Sequence, residues 1–188
     1  MVNVAVFVSG GGTNLQAILD AQGSVIQSAR VALVIASRPD AYALERAKNH
    51  GIPALVLTDE GEIQHALEQY DIGLIVLAGY MRILSPAFTA RWADRILNVH
   101  PSLIPAFCGK GMYGLRVHEA ALAKGVKVTG ATVHFVNEIP DGGRILYQKA
   151  VEILPDDTPQ TLQRRVMEQA EWILLPRAVE YVAKEMLS

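Results

Sequence analysis

The sequence predicts an α/β protein: a largely parallel sheet with helices on both faces, an antiparallel C-terminal part and a long C-terminal helix. Three observations predict it. Over the first half, short strands that are apolar throughout alternate with helical segments, the pattern of parallel strands covered on both faces. The later runs VTGATVHFV and RILYQKAVEI are joined only by NEIPDGG, a link suited to a hairpin, so the sheet is mixed. The chain then closes in an amphipathic stretch from about Pro159.

VNVAVFV (Val2 to Val8) is the first strand. SGGGTN turns it into a helix over LQAILDA, with Thr13 or Asn14 as the cap. VALVIAS (Val31 to Ser37) is the second strand, and the helix after it, Ala41 to His50, is stopped by Gly51 and Pro53. Ala54 to Leu57 forms the third strand and leads to a helix around Ile63 to Tyr70. IGLIVLAGY holds the fourth and most apolar strand, Pro86 to Trp92 is helical, and RILNVHP is a short strand ending in polar residues. Pro101 to Gly114, with two prolines and three glycines, reads as an ordered loop at a site rather than a linker. Arg116 to Ala123 is helical; Pro159 suits a first helical turn, and Pro176 predicts a break or bend.

A length of 188 residues predicts one domain, 1–188, and 51% hydrophobic with 19% charged residues excludes a disordered chain. Seventeen Lys and Arg against nineteen Asp and Glu leave a net charge of -2, which argues against a nucleic-acid footprint but allows a local phosphate site. The lone Cys108 excludes an internal disulfide and a clustered thiolate metal site. The N-terminus lacks a signal-peptide pattern, and no apolar run approaches the roughly 18 residues of a membrane span. A soluble, cytoplasmic protein with no membrane or nucleic-acid partner is expected.

Two groups of residues carry chemistry. Glycines in SGGGTN let the backbone approach a ligand, and the free amides at the start of the following helix favour a phosphate; the plainer reading is a tight capped turn. The stretch lacks the Gly-Lys-Ser/Thr ending of a nucleotide P-loop and the spacing of a dinucleotide fingerprint. Asn98 and His100 lie two apart at the carboxyl end of a strand, so both can face one site. Asn98 can donate to a carbonyl oxygen; His100 can donate to an oxyanion or move a proton near neutral pH. Thr132 and His134 share one strand face in the same way, and Asp141 sits in the hairpin connection. The histidines form no metal motif, and neither Ser9 nor Ser102 stands in a nucleophile elbow. From residues alone the reading is a phosphate-ligand α/β enzyme with an Asn/His/Asp centre.

SGGGTNLQAI (Ser9 to Ile18), LAGYMRILSPAF (Leu77 to Phe88), ILNVHPSLIPAF (Ile96 to Phe107) and the segment Val128 to Val151 together resemble the phosphoribosylglycinamide formyltransferases, within the folate-dependent formyltransferase family. The resemblance spans essentially the whole chain. It implies a single-domain Rossmann-like formyltransferase fold and transfer of the formyl group of 10-formyltetrahydrofolate, a co-substrate, to the amine of phosphoribosylglycinamide in purine biosynthesis. No metal is implied. It implies catalysis by Asn98, His100 and Asp141, supported by Thr132, His134 and His118. The acceptor would lie at Gly12, Thr13, Asn14, Leu15 and Glu171. The folate would occupy Met81, Arg82, Ile83 and Leu84 together with Asn98 and the loop Val136, Asn137, Glu138, Ile139, Pro140 and Asp141. In the implied mechanism His100 is cationic, kept so by Asp141. Small-molecule substrates are the expected partners, with the chain a monomer or homodimer.

Three departures accompany the resemblance. TDEGEIQHALEQ replaces a longer loop that commonly carries an SRE-type motif, so an arginine contact from there is missing. The loop AFCGKGMYGLRVH is longer than the compact family form. The spacing from Arg165 to Pro176 is one residue longer than usual. A deformylase, a methionyl-tRNA formyltransferase and a non-catalytic phosphate binder are the competing functions; length and charge disfavour the first two, and the third has no use for the Asn98, His100, Asp141 trio.

Overall fold

The computed structural model describes residues 1–188. Seven strands form one sheet: β1 (Val2–Val8), β2 (Ala29–Ala36), β3 (Ala54–Val56), β4 (Ile72–Leu77), β5 (Ile96–His100), β6 (Val128–Phe135) and β7 (Ile145–Glu152). Their order is β3-β2-β1-β4-β5-β6-β7. β1 to β5 run parallel, and β6 and β7 are antiparallel to their neighbours. This bears out the mixed, mostly parallel sheet expected from the sequence.

Alternation along β1 shows how one strand serves two cores. Val2, Val4, Val6 and Val8 point into a cluster of 34 buried residues, while Ala5 and Phe7 point into a second cluster of 14 on the other face. Every residue of β1 but Asn3 is buried. The larger core is shared with α1 (Thr13–Ala21), α2 (Ala43–Asn49) and the C-terminal helices; the smaller is covered by α3 (Glu60–Gln69) and α4 (Pro86–Arg91). Burying a side chain such as Phe7, which is 0% exposed, contributes about 1.5–3 kcal/mol.

Helix starts follow local chemistry. Asp59 caps α3 through the Glu62 N–H, so that helix starts at Glu60, before the expected Ile63. Ser85 caps α4 ahead of Pro86. After α5 (Leu115–Lys124), Thr158 and Thr161 close a capping box on α6 (Pro159–Val166), with Pro159 in the first turn as expected. Two expectations need correction. Neither Thr13 nor Asn14 caps α1; Gly12 does, at φ 72° and without a side-chain bond, because both side chains turn toward the C-terminal helix instead. The helix does not break at Pro176, which lies inside α7 (Trp172–Leu187); a π-helical turn, Met167–Glu171, joins α6 to α7. Pro176 lacks the N–H that would reach the Trp172 carbonyl, and its ring crowds that carbonyl. The chain widens to a π turn before α7 begins.

Strand order reverses between β1 and β4, whose carboxyl ends open onto one crevice. The glycine turn leaves β1 there, and Gly79 to Leu84 leave β4. The two are tied by Ser9 Oγ, which accepts from the Met81 N–H at 2.9 Å and meets Ser37 Oγ at 2.6 Å. No helix is long and apolar enough to cross a membrane.

Candidate active site

Asn98 and His100 stand at the end of β5, and the antiparallel register sets His134 opposite Asn98 and Thr132 opposite His100. Four polar side chains thus meet at one end of the sheet. Thr132, fully buried, fastens the loop after β5: its hydroxyl donates to the Ser102 carbonyl at 2.7 Å and accepts from the Ile104 N–H at 3.1 Å and from Gln148 Nε2 at 3.0 Å. His134 Nδ1 lies 2.8 Å from the Phe135 carbonyl, which can only accept, so Nδ1 carries the hydrogen. Its Nε2 then accepts from Asn98 Nδ2 at 3.1 Å. One Asn98 N–H is spent fixing the amide plane, and the other is free for a ligand.

The same logic assigns His100. Nε2 lies 2.8 Å from the Phe107 carbonyl and must be its donor, leaving Nδ1 to face Asp141 Oδ2 at 3.6 Å. Asp141 bridges both rings: its Oδ1 is 3.5 Å from His134 Nε2, and its Oδ2 also accepts the Gly109 N–H at 2.8 Å. Asp141 adopts φ 55°, a conformation Asp tolerates better than most side chains, and this turns the carboxylate inward from the hairpin connection. Burial pushes its carboxyl up, but His134, the Gly109 N–H and His100 together hold it below its ordinary value. Burial lowers His100, and the Asp141 carboxylate only partly opposes this. Burial thus favours the neutral ring of His100, against the cation kept charged by Asp141 that the resemblance implies.

Two hollows meet at Asn98 and Asp141. The smaller, about 130 Å³, is lined by Arg82, Ile83, Leu84, His134 and all of Val136 to Asp141, with Leu77, Tyr80 and Thr89. The larger, about 390 Å³, is lined by Asn14, Met81, His100, His118, Glu171 and the loop Gly109 to Gly114, with Gln163 and Met167. Most residues singled out in the sequence are brought to this one cleft. Thr132 stands behind it as a support. Leu15 has its side chain in the larger core, 0% exposed, so only its backbone can serve a ligand.

Glu171 is buried in the π-helical turn, and its Oε2 accepts from Asn14 Nδ2 at 2.8 Å. Burial raises its carboxyl to about 7, with the Asn14 amide opposing. That turn lies within the Arg165 to Pro176 stretch, whose spacing the resemblance marks as longer than usual. His118 is fully buried with neither ring nitrogen partnered, and Asn14 Oδ1 is likewise unpartnered. Burial, with His100 nearby, lowers His118 to about 4. Two unsatisfied groups in one hollow mark where a polar ligand belongs. Cys108 lies beside the site, but burial and Asp141 push its thiol up, away from a nucleophilic thiolate.

Sequence reasoning missed Tyr80, Gln163, Met167 and Met112. Gln163, Met167 and Glu171 are spaced by four, a helical face the sequence does display, whereas nothing local marks Met112. No group of three or more His, Cys, Asp or Glu side chains is placed to hold a metal ion.

The formyl transferase family matches residues 2–179 of the chain. The chain is 41% identical over 196 residues to phosphoribosylglycinamide formyltransferase of Haemophilus influenzae, covering 100% of this chain and 90% of that protein. It is 39% identical over 176 residues to the chloroplastic phosphoribosylglycinamide formyltransferase of Arabidopsis thaliana, covering 88% of this chain and 60% of that one. Among solved structures, glycinamide ribonucleotide transformylase 1 from Symbiobacterium toebii superimposes with a TM-score of 0.90 at 41% identity, covering 98% of this chain and 89% of that one.

Proposed function

The chain belongs to the formyl transferase family, a premise from which we propose how its residues move a formyl group from 10-formyltetrahydrofolate to the amine of phosphoribosylglycinamide. The single observation that carries the reading is the meeting of the two hollows at Asn98 and Asp141. One hollow suits the planar, partly apolar folate head between Ile83, Leu84 and Val136 to Pro140. The other suits a polar acceptor, with Asn14, Glu171 and His118 along its wall; the phosphate would go to the glycine turn that precedes Asn14.

The neutral amine attacks the formyl carbon, a carbon–nitrogen bond forms, and negative charge develops on the formyl oxygen. The free N–H of Asn98, whose amide is fixed by His134, donates to that oxygen. The attacking nitrogen becomes cationic and must lose a proton. Neutral His100 can take it at Nδ1, because the Asp141 carboxylate stabilises the imidazolium that results. The proton returns to the folate nitrogen as its bond to the formyl carbon breaks, leaving tetrahydrofolate and the formylated amide with no net proton change. Neither a metal nor a covalent enzyme intermediate enters these steps.

Residues 1–188 act in this reading as one formyltransferase domain, supported by the single continuous sheet whose strands carry Asn98, His100, Thr132 and His134. The test is a folate absorbance assay with and without phosphoribosylglycinamide, with the formylated product identified by mass. Acceptor-dependent product is expected; deformylation without acceptor overturns the assignment.

A further inference from the structure

The mechanism leaves one feature of the glycine turn unused: the way α2 is packed onto it. The Gly10 carbonyl accepts from the Ala43 N–H at 3.1 Å, the first residue of α2. The Gly11 carbonyl accepts from Arg46 Nε at 2.7 Å, one turn further along the same helix. The Gly12 carbonyl accepts from the Gln16 N–H at 2.9 Å, and a Cβ on Gly12 would lie 2.6 Å from the Ala43 Cβ. All three glycine carbonyls are thus drawn to helices, and α2 occupies the space a side chain at Gly12 would need. Peptide units held by their carbonyls turn their N–H groups away from those partners, and the first amides of α1 likewise have no partner within the helix.

Arg46 does this with an unspent charge. Its recorded partners are the Gly11 carbonyl and, from Nη1 at 3.1 Å, the Gln16 side-chain oxygen, both uncharged. Its guanidinium lies 5.2 Å from the Tyr42 ring centroid, and it takes part in none of the ion pairs of the structure. The side chain is half-buried. The turn itself offers only neutral donors, while a sugar phosphate near neutral pH carries nearly two negative charges.

We propose that Arg46 is a positioning residue for the acceptor's phosphate: it locks the Gly11 peptide with its amide toward the ligand and supplies the positive charge that the glycine turn lacks. The inference rests on the reading of the crevice as a sugar-phosphate site and adds to it a residue outside the cleft's own lining. Arg46 acts through the Gly11 carbonyl, so its loss weakens acceptor binding and leaves the formyl-transfer step, at Asn98 and Asp141, with its machinery intact.

The experiment compares wild type, R46K and R46M by steady-state kinetics and by calorimetric titration with phosphoribosylglycinamide and with inorganic phosphate. For R46M, a KM for the acceptor raised at least tenfold is expected, with kcat within threefold and the folate KM unchanged. Inorganic phosphate inhibits it correspondingly less. R46K keeps the charge but not the fork that joins Gly11 to Gln16, and falls between the two. An R46M acceptor KM and phosphate affinity within twofold of wild type overturn the proposal. So does a joint collapse of kcat, folate KM and thermal stability, which is what a purely structural role produces. The titration keeps the two readings apart: wild type that binds the acceptor without formylating it sinks the transferase reading, and Arg46 is still judged by the ratio of binding constants. Wild type that binds neither ligand sinks both.

Discussion

Replacing Asp141 with Asn removes one charge and almost no shape. The amide can still accept the Gly109 N–H, so the loop keeps its tie, and the side chain, 13% exposed, keeps its packing. What disappears is the carboxylate 3.6 Å from His100 Nδ1. At an effective dielectric constant of about 20, attraction between unit charges at such a distance is on the order of 4 kcal/mol. That attraction exists only once His100 has taken the proton, and burial favours the neutral ring before that step. Its loss therefore falls on the transition state, and at about 1.4 kcal/mol per tenfold it predicts a kcat lowered by roughly a thousandfold. Partial solvent access brings the low end to about a hundredfold, within the range seen for a positioned acid or base. Rapid-quench measurement of formylated product at saturating substrates reads this directly, with near-ultraviolet circular dichroism as the check on folding. A folded D141N enzyme with kcat within tenfold of wild type refutes the charge argument.

Further outcomes follow from the same geometry. His118, lowered from 6.5 to about 4, binds its proton more weakly folded than unfolded, so its contribution is full above pH 6.5 and is lost as pH falls toward 4. Urea unfolding should show a term of about 3 kcal/mol lost across that window, and H118Q should flatten it. Thr132→Val strands the Ser102 carbonyl and the Ile104 N–H, and should cost about 2 kcal/mol by chemical denaturation together with a loss of kcat. Gly12→Ala meets both the Ala43 Cβ at 2.6 Å and φ 72°; a loss above about 1 kcal/mol and a raised acceptor KM are expected. Glu171, raised to about 7, is partly protonated at neutral pH, and a ligand hydroxyl donating to it favours the ionised form. Titration of acceptor at pH 7 in buffers of different ionisation enthalpy should show proton release, absent in E171Q.

The candidate site was legible because strand ends are where an α/β sheet collects chemistry, and Asn98, His100, Thr132 and His134 each announce themselves by a spacing of two. What the sequence hid were choices settled by distant partners. Thr13 and Asn14 look like caps, yet their side chains serve Met167 and Glu171, more than 150 positions away. His100 looks like a cation beside a carboxylate, yet its charge is decided by burial, which no motif states.

The C-terminal helix shows a signal that was present and misassigned. Leu162, Val166, Ala170, Leu174, Ala178 and Val182 are all buried, a run spaced by four throughout. In a regular α-helix of about 3.6 residues per turn, each step of four advances the face by about 40°, so five steps would carry the stripe more than halfway around. A single wider turn absorbs part of that drift, and Met167–Glu171 is such a turn. The pattern of four marks this irregularity. Its consequence reaches the site: the turn keeps Leu162 and Val166 on the core before it and Leu174 after it, while presenting Glu171 to Asn14. π-helical turns are rare and cluster at functional sites, and here the reason is visible, since one extra residue is accommodated without moving either the core face or the carboxylate that faces the acceptor hollow.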